Sequence, residues 1–408
     1  MMRNRGFPLS NASLGLLVLL PIVSIVQCQP NRSAQAKPVS AASLIATSGA
    51  GDRDPLLYEA VLPDQRADIM AATTGRLSRY RLAVTLQPET GARPGTPAAS
   101  PTIGSTPVPA MTITGTEDLL YVNDTGHTLT ELWFRLYAND ARYAEGGISV
   151  GGIAVDGVPV LATNVPPTNA TADAAGNDPT LLHIALPAPV PIAGTAHVTM
   201  GFTTSVPTQP GAPWEIFAFD PERSTWALAG WFPILAGFDP TTGWELRPLS
   251  RWGDPIFANT ALYDVTVSAP RDLRLVASGS ELAAEPTGNH VRRHYVTGPV
   301  RDFALVADDD FATLSRRVGE TTVTAHFNPQ HAAGAETVLR FAAKALELYN
   351  RLFGDYTYAE MDVVEVPHVA GFEFPQLVYL GSRFFADPAQ PGARPRITEF
   401  LVAHEVAH

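Results

Sequence analysis

The stretch Ile397-Thr398-Glu399-Phe400-Leu401-Val402-Ala403-His404-Glu405-Val406-Ala407-His408 decides how the rest of the chain is read. Ile397, Leu401 and Val402 recur at helical steps beside the small residues Ala403 and Ala407, which predicts a helix over 397–408. Residues four apart on a helix stand one turn above each other. His404 and His408 can therefore turn both imidazoles toward one ion, with Glu405 beside them, in an H-E-x-x-H pattern. Neutral imidazole nitrogens suit Zn2+, which polarises a carbonyl and acidifies water. A carboxylate beside such an ion can take a proton from water and deliver it to a leaving amine. His404 and His408 are the candidate metal ligands and Glu405 the candidate general base. Two other readings stay open here: a helix that carries two histidines by chance, or a metal-free relative of a metal enzyme.

Working upstream, residues 311–408 read as an α/β unit. Thr321 to Phe327 is strand-like, and Ala335 to Phe353 is helical, with Val338, Phe341, Ala345, Leu348 and Leu352 on one face. Gly354 follows where a helix C-cap favours a left-handed residue. Met361 to Val366 is a strand ended by Pro367, and Leu377 to Leu380 is a second one. Between them lies Ala370-Gly371-Phe372-Glu373-Phe374-Pro375, a carboxylate set among small and aromatic residues. Taken alone, Glu373 reads as a turn glutamate. Placed 31 residues before His404, it makes a second motif.

Residues 77–310 have a different texture. Tyr80 to Leu86, Met111 to Gly115, Leu119 to Val122, Leu129 to Tyr137 and His197 to Phe202 alternate as half-buried strands do. So do Tyr263 to Ala269, Leu273 to Ser278 and His290 to Val296, all punctuated by Gly, Pro and Asn-Asp clusters. A β-sheet domain is the economical reading. Thr90 to Val108 and Thr163 to Pro179 read as surface loops. Trp214 to Trp252 holds five of the six tryptophans and fits either core packing or a cleft wall.

The formal net charge of -12 argues against a nucleic-acid partner, which needs a basic face. The single cysteine, Cys28, excludes an internal disulfide framework. Arg3 and Arg5 precede an apolar run from Leu14 to Val26, the layout of an export signal or membrane anchor over 1–28. Residues 29–76, rich in Ala, Ser, Pro and Gly, read as a flexible linker with local helix near Pro63 to Ala72. An extracytoplasmic protein, secreted or tethered to the membrane with Cys28 as a possible lipid attachment point, is the expectation.

The two motifs together resemble the M1 family of zinc aminopeptidases, in the gluzincin group, whose members carry a G-x-M-E-N or G-G-M-E-Y-P type motif shortly before H-E-x-x-H. Gly371, Glu373 and Pro375 match, Phe374 takes the aromatic place and Phe372 replaces methionine. Upstream, Leu120 to Asp124, Leu132 to Asn139, Trp231-Phe232-Pro233, Gly243-Trp244, Asp254 to Phe257 and Arg301 to Val306 are similar to early strands of the family. The resemblance covers about residues 78 to 408. It implies a multidomain β plus α/β fold: an antiparallel, saddle- or sandwich-like β domain, then the start of a thermolysin-like catalytic domain. It implies that Gly371, Phe372 and Glu373 bind substrate, with Glu373 gripping the free amino terminus of a peptide. A third zinc ligand, a glutamate about eighteen residues beyond the second histidine, would fall past His408, as would a tyrosine that steadies the tetrahedral intermediate. With two ligands alone, residues 1–408 are expected to be inactive. A broader-specificity metallopeptidase and a non-catalytic surface binding protein with a degenerate peptidase domain are the alternatives.

Overall fold

The computed structural model describes residues 54–89, 110–143, 146–163, 178–208, 216–250, 256–367, 370–390 and 393–408. The apolar leader, Cys28, His368, Trp214, Trp252 and nearly all of the two expected surface loops lie outside the described residues. Among the described residues no helix is long and apolar enough to cross a membrane.

The alternating segments form an eight-stranded sheet. Its strands in chain order are β1 (Ser78–Pro88), β2 (Met111–Val122), β3 (Gly147–Val155), β4 (Val158–Pro159), β5 (Thr195–Val206), β6 (Ala261–Pro270), β7 (Ser280–Thr287) and β8 (His290–Val300). They are arranged β7-β8-β6-β1-β2-β5-β3-β4. One pairing departs from the antiparallel expectation: β1 and β6 run parallel, Ser78 opposite Ala261 through Thr85 opposite Ser268. The opposed Tyr80 and Tyr263 rings stack there at 4.8 Å between centroids. Tyr80, Leu82, Val84 and Leu86 all turn to one buried face, as a period of two requires. Two four-stranded sheets contribute to the same core through Phe134, Trp226 and Leu228. Trp226 and Trp231 are buried in that core, so for these two of the stretch's tryptophans the packing reading holds.

From Ala312 the strands belong to a separate five-stranded sheet. It contains β9 (Ala312–Val318), β10 (Thr321–Phe327), β11 (Glu360–Val366), β12 (Gly371–Phe374) and β13 (Leu377–Gly381), ordered β9-β10-β11-β13-β12. Strands β10 and β11 are parallel, so the chain needs a crossover, and the helix Ala332–Phe353 supplies it. A second helix, Pro395–Ala407, follows the sheet. In chain order the helices are α1 (Pro63–Thr73), α2 (Ala332–Phe353) and α3 (Pro395–Ala407).

The central strands of this sheet are buried on both faces. Val363, Val378 and Leu380 pack with Val338, Leu339, Ala342 and Leu346 of α2. The alternate residues Val364, Val366, Leu377 and Tyr379 join the large β core instead, and Tyr379 donates its hydroxyl to the Leu305 carbonyl at 2.8 Å. The apolar face expected for α2 holds only in part. Val338, Phe341 and Ala345 are buried, whereas Leu348 and Leu352 are 42% and 62% exposed. A helix period of 3.6 carries its stripe round, and Leu339, Ala342 and Leu346 take the inward places.

The flexible linker expected over 29–76 is corrected in its second half. From Asp54 the chain is folded: Leu57, Tyr58 and Val61 bury against Leu262, and α1 follows. Leu62 donates its N–H to the Thr357 carbonyl at 2.8 Å, and Ala359 donates to Ala60 at 2.9 Å. The anchoring contacts lie some 200 to 300 residues away in sequence, so composition around 54–76 could not show them.

Candidate active site

Pro395 opens α3 at the first turn, where a missing N–H costs nothing, and the helix runs through the H-E-x-x-H residues. His404 and His408 lie on its exposed side with their Nε2 atoms 3.2 Å apart. Two nitrogens each about 2.05 Å from one tetrahedral zinc stand roughly 3.3 Å apart, so the pair fits such an ion. Among the described residues no third His, Cys, Asp or Glu joins it.

Glu405 points the other way round the helix and is buried. It lies against Gly371 of β12 so closely that a Cβ on that glycine would overlap its carboxylate. Glycine is thus required by close approach. Burial, and then the nearby Glu373 carboxylate, push Glu405 up to about 7. Glu373 stands two residues along the same strand face and pairs with His408, Oε1 to Nδ1, at 3.3 Å. Strand alternation therefore brings Gly371 and Glu373 to α3 together.

The same alternation sends Phe372 away. Its side chain, like that of Phe374, is buried in the large β core. Any part Phe372 takes in binding substrate therefore falls to its backbone, because its side chain holds the strand down from behind. Strand β12 is the sheet's edge, hydrogen-bonded to β13 on one side only, with Gly371 opposite Leu380 and Phe374 opposite Leu377.

A cavity of about 240 Å³ opens beside these groups. Glu373, Glu405 and His408 line it, together with Thr260, Val300 and Arg301 from the β domain. Tyr356, Tyr358 and Gln376 complete it. Sequence reasoning missed these, because nothing local marks them as cleft residues. Both tyrosine hydroxyls are already committed, Tyr358 to the Pro299 carbonyl and Tyr356 to the Glu360 carbonyl. No described tryptophan lines the cavity. His294, His326 and His331 are paired with Asp264, Asp362 and Glu365, away from α3. Asp308, Asp309 and Asp310 bring carboxylates within 4.8 Å of one another, but Asp308 is taken up by the N–H groups of Asp310 and Phe311 and by Thr225.

No protein-family model and no curated protein matches the sequence. Solved structures do. The M1 zinc metallopeptidase from Deinococcus radiodurans superposes with a TM-score of 0.51 at 15% identity, over 81% of this chain and 63% of that one. Over that span the chain shares its fold with an M1 zinc metallopeptidase. A mutant of the Deinococcus radiodurans protein bound to a Tyr-Ser-Ala substrate aligns with a TM-score of 0.50 at 14% identity, covering 81% and 64% of the two chains. A two-domain M1 mutant bound to L-arginine gives 0.50 at 15%, covering 81% and 63%. The chain thus spans a little under two thirds of the M1 structures it matches.

Proposed function

We propose that this chain carries the β domain and part of the catalytic domain of an M1-type zinc aminopeptidase, which removes amino-terminal residues from peptides outside the cytoplasm. The observation that carries the reading is one constellation: His404 and His408 with Nε2 atoms 3.2 Å apart, and the Glu405 carboxylate turned beneath Gly371. The M1 fold and a neighbour bound to a tripeptide substrate support it. The export-like leader with Arg3 and Arg5 supports the location.

His404 and His408 would hold a zinc ion, which when bound supplies Lewis acidity and an acidified water. By the resemblance, a third ligand would lie beyond His408. The free edge of β12 offers backbone N–H and C=O groups to an extended peptide. Glu373 accepts hydrogen bonds from the substrate ammonium, which fixes the cut at the first peptide bond. Glu405 takes a proton from water as its oxygen bonds to the carbonyl carbon. It then gives that proton to the amide nitrogen as the C–N bond breaks.

Metal content and hydrolysis of aminoacyl-anilides by the full-length protein test this. One zinc per chain is expected, with turnover of free but not amino-terminally blocked substrates. Glu373→Ala should remove that discrimination. A full-length protein that retains no divalent ion would end the peptidase reading. Equal cleavage of free and blocked substrates by the unaltered protein would leave a metallopeptidase without amino-terminal selectivity.

A further inference from the structure

We propose that Arg301 forms a carboxylate-binding subsite in the cleft, selecting peptides whose carboxylate lies within a few residues of the amino terminus. The proposal rests on the aminopeptidase reading and adds the substrate class. Two acids in its lining, Glu373 and Glu405, make the cleft hostile to a second negative charge. Arg301 is the one Lys or Arg among the described residues lining the same cavity.

Its setting is built. The Arg301 carbonyl accepts the Tyr263 hydroxyl at 3.0 Å, and Tyr263 is fully buried in the β core. Two residues earlier, the Pro299 carbonyl accepts the Tyr358 hydroxyl, and Thr297 accepts Gln376 Nε2 at 2.9 Å. The backbone leading to Arg301 is thereby tied to Tyr358 and Gln376, which line the same cavity. The guanidinium is exposed and makes no hydrogen bond or ion pair among the described residues. Elsewhere in this acidic chain arginines find carboxylates, as Arg81 does with Asp264 at 3.1 Å, Arg142 with Asp140 at 2.9 Å and Arg293 with Glu281 at 3.1 Å. The cavity carboxylate Glu373 is paired with His408 and not with Arg301. An anchored, unpaired guanidinium facing a cleft offers a planar fork that matches a carboxylate bidentately. Either the terminus of a short peptide or an Asp or Glu side chain could supply that group.

The test uses full-length, zinc-loaded protein and three tripeptides: one neutral with a free carboxyl terminus, the same peptide amidated, and an amidated one with Glu in second place. Arg301→Met should raise KM about 10- to 100-fold for carboxylate-bearing peptides, with kcat little changed. The neutral amide should be unaffected. Arg301→Lys should recover part of the loss. An effect on the first peptide alone assigns the terminal carboxylate, and one on the third assigns the side chain. Calorimetric titration of Glu405→Gln, with and without Arg301→Met, reads the same subsite without turnover, so it stands apart from the catalytic reading. Equal change across the three peptides, or none on any, overturns the proposal.

Discussion

Two buried carboxyls, one in each part of the molecule, show how far burial alone can be trusted as a sign of function. Glu117 sits at the middle of β2, opposite Leu82 and Met200, and is 1% exposed. Neither of its carboxylate oxygens has a hydrogen-bond partner among the described residues. Glu405 is also buried, yet it borders a cavity, faces a second carboxylate and shares a helix with two imidazoles. Desolvation is the first cause of a raised pKa in both. What separates them is access: a proton on Glu117 has nowhere to go, while one on Glu405 meets a cleft.

Glu405→Gln should break the comparison most strongly. It keeps shape and hydrogen-bonding reach but removes the proposed base, and on the proposed function kcat of the full-length protein should fall about 10²- to 10⁴-fold. Stability in urea below pH 4 should hardly change, because the carboxyl is protonated there in both folded and unfolded chains. The matching Glu117→Gln should leave kcat intact; a comparable fall there would show that the two acids differ less than their surroundings suggest.

Gly371→Ala comes next. Its Cβ would meet Glu405 from Oε1 back to Cγ, side-chain atoms only, so it is this side chain and not backbone that must move. The fold should therefore survive while the carboxylate is displaced, costing about 100-fold in kcat for a shift near 1 Å. Unchanged kcat with an unchanged melting midpoint would mean that the placement of Glu405 beneath β12 does not matter to the reaction.

The helix α3 and its histidines were legible because helix geometry is local: spacing of four fixes the stacking of His404 and His408 whatever surrounds them. Strands such as Tyr80 to Leu86 were legible through alternation. Strand β13 announced itself only as a short apolar run, because Val378 and Tyr379 face different cores and leave no period. The fate of Phe372 needed the partner on each side of β12, and that of Arg301 needed the parallel neighbour of β1 to be known. Asp54 to Thr73 looked like linker because its few apolar side chains meet partners far along the chain. Contacts of that range leave no mark in composition.

Glu117→Met sharpens the comparison from the stability side. Removing an unpartnered acid from an apolar setting should raise unfolding free energy by about 1–3 kcal/mol at pH 7, read by urea titration. The carboxyl is held well above its usual value, so the folded state retains a proton that the unfolded chain loses above pH 4.5. The penalty accordingly grows as pH rises, and the gain from methionine should grow with it. A destabilised variant would imply that the acid has a partner, such as a bound water, that its surroundings do not reveal.

Glu360 gives the smallest expected effect, and it lies between the two cases. It opens β11 at the rim of the five-stranded sheet, half-buried, with burial first and then the Asp362 charge raising it to about 7. The sign follows from proton counting. Between the unfolded value of 4.5 and the folded value of about 7 the native state binds more protons than the unfolded chain. Stability from this group is full below the lower limit and is lost as pH climbs to the upper one. Glu360→Gln should flatten that part of the stability profile and leave the profile below pH 4 unchanged. Because Glu360 is only partly shielded, the slope removed should be smaller than for Glu117→Met; an equal or larger change would place Glu360, rather than Glu117, at the dry end of the comparison.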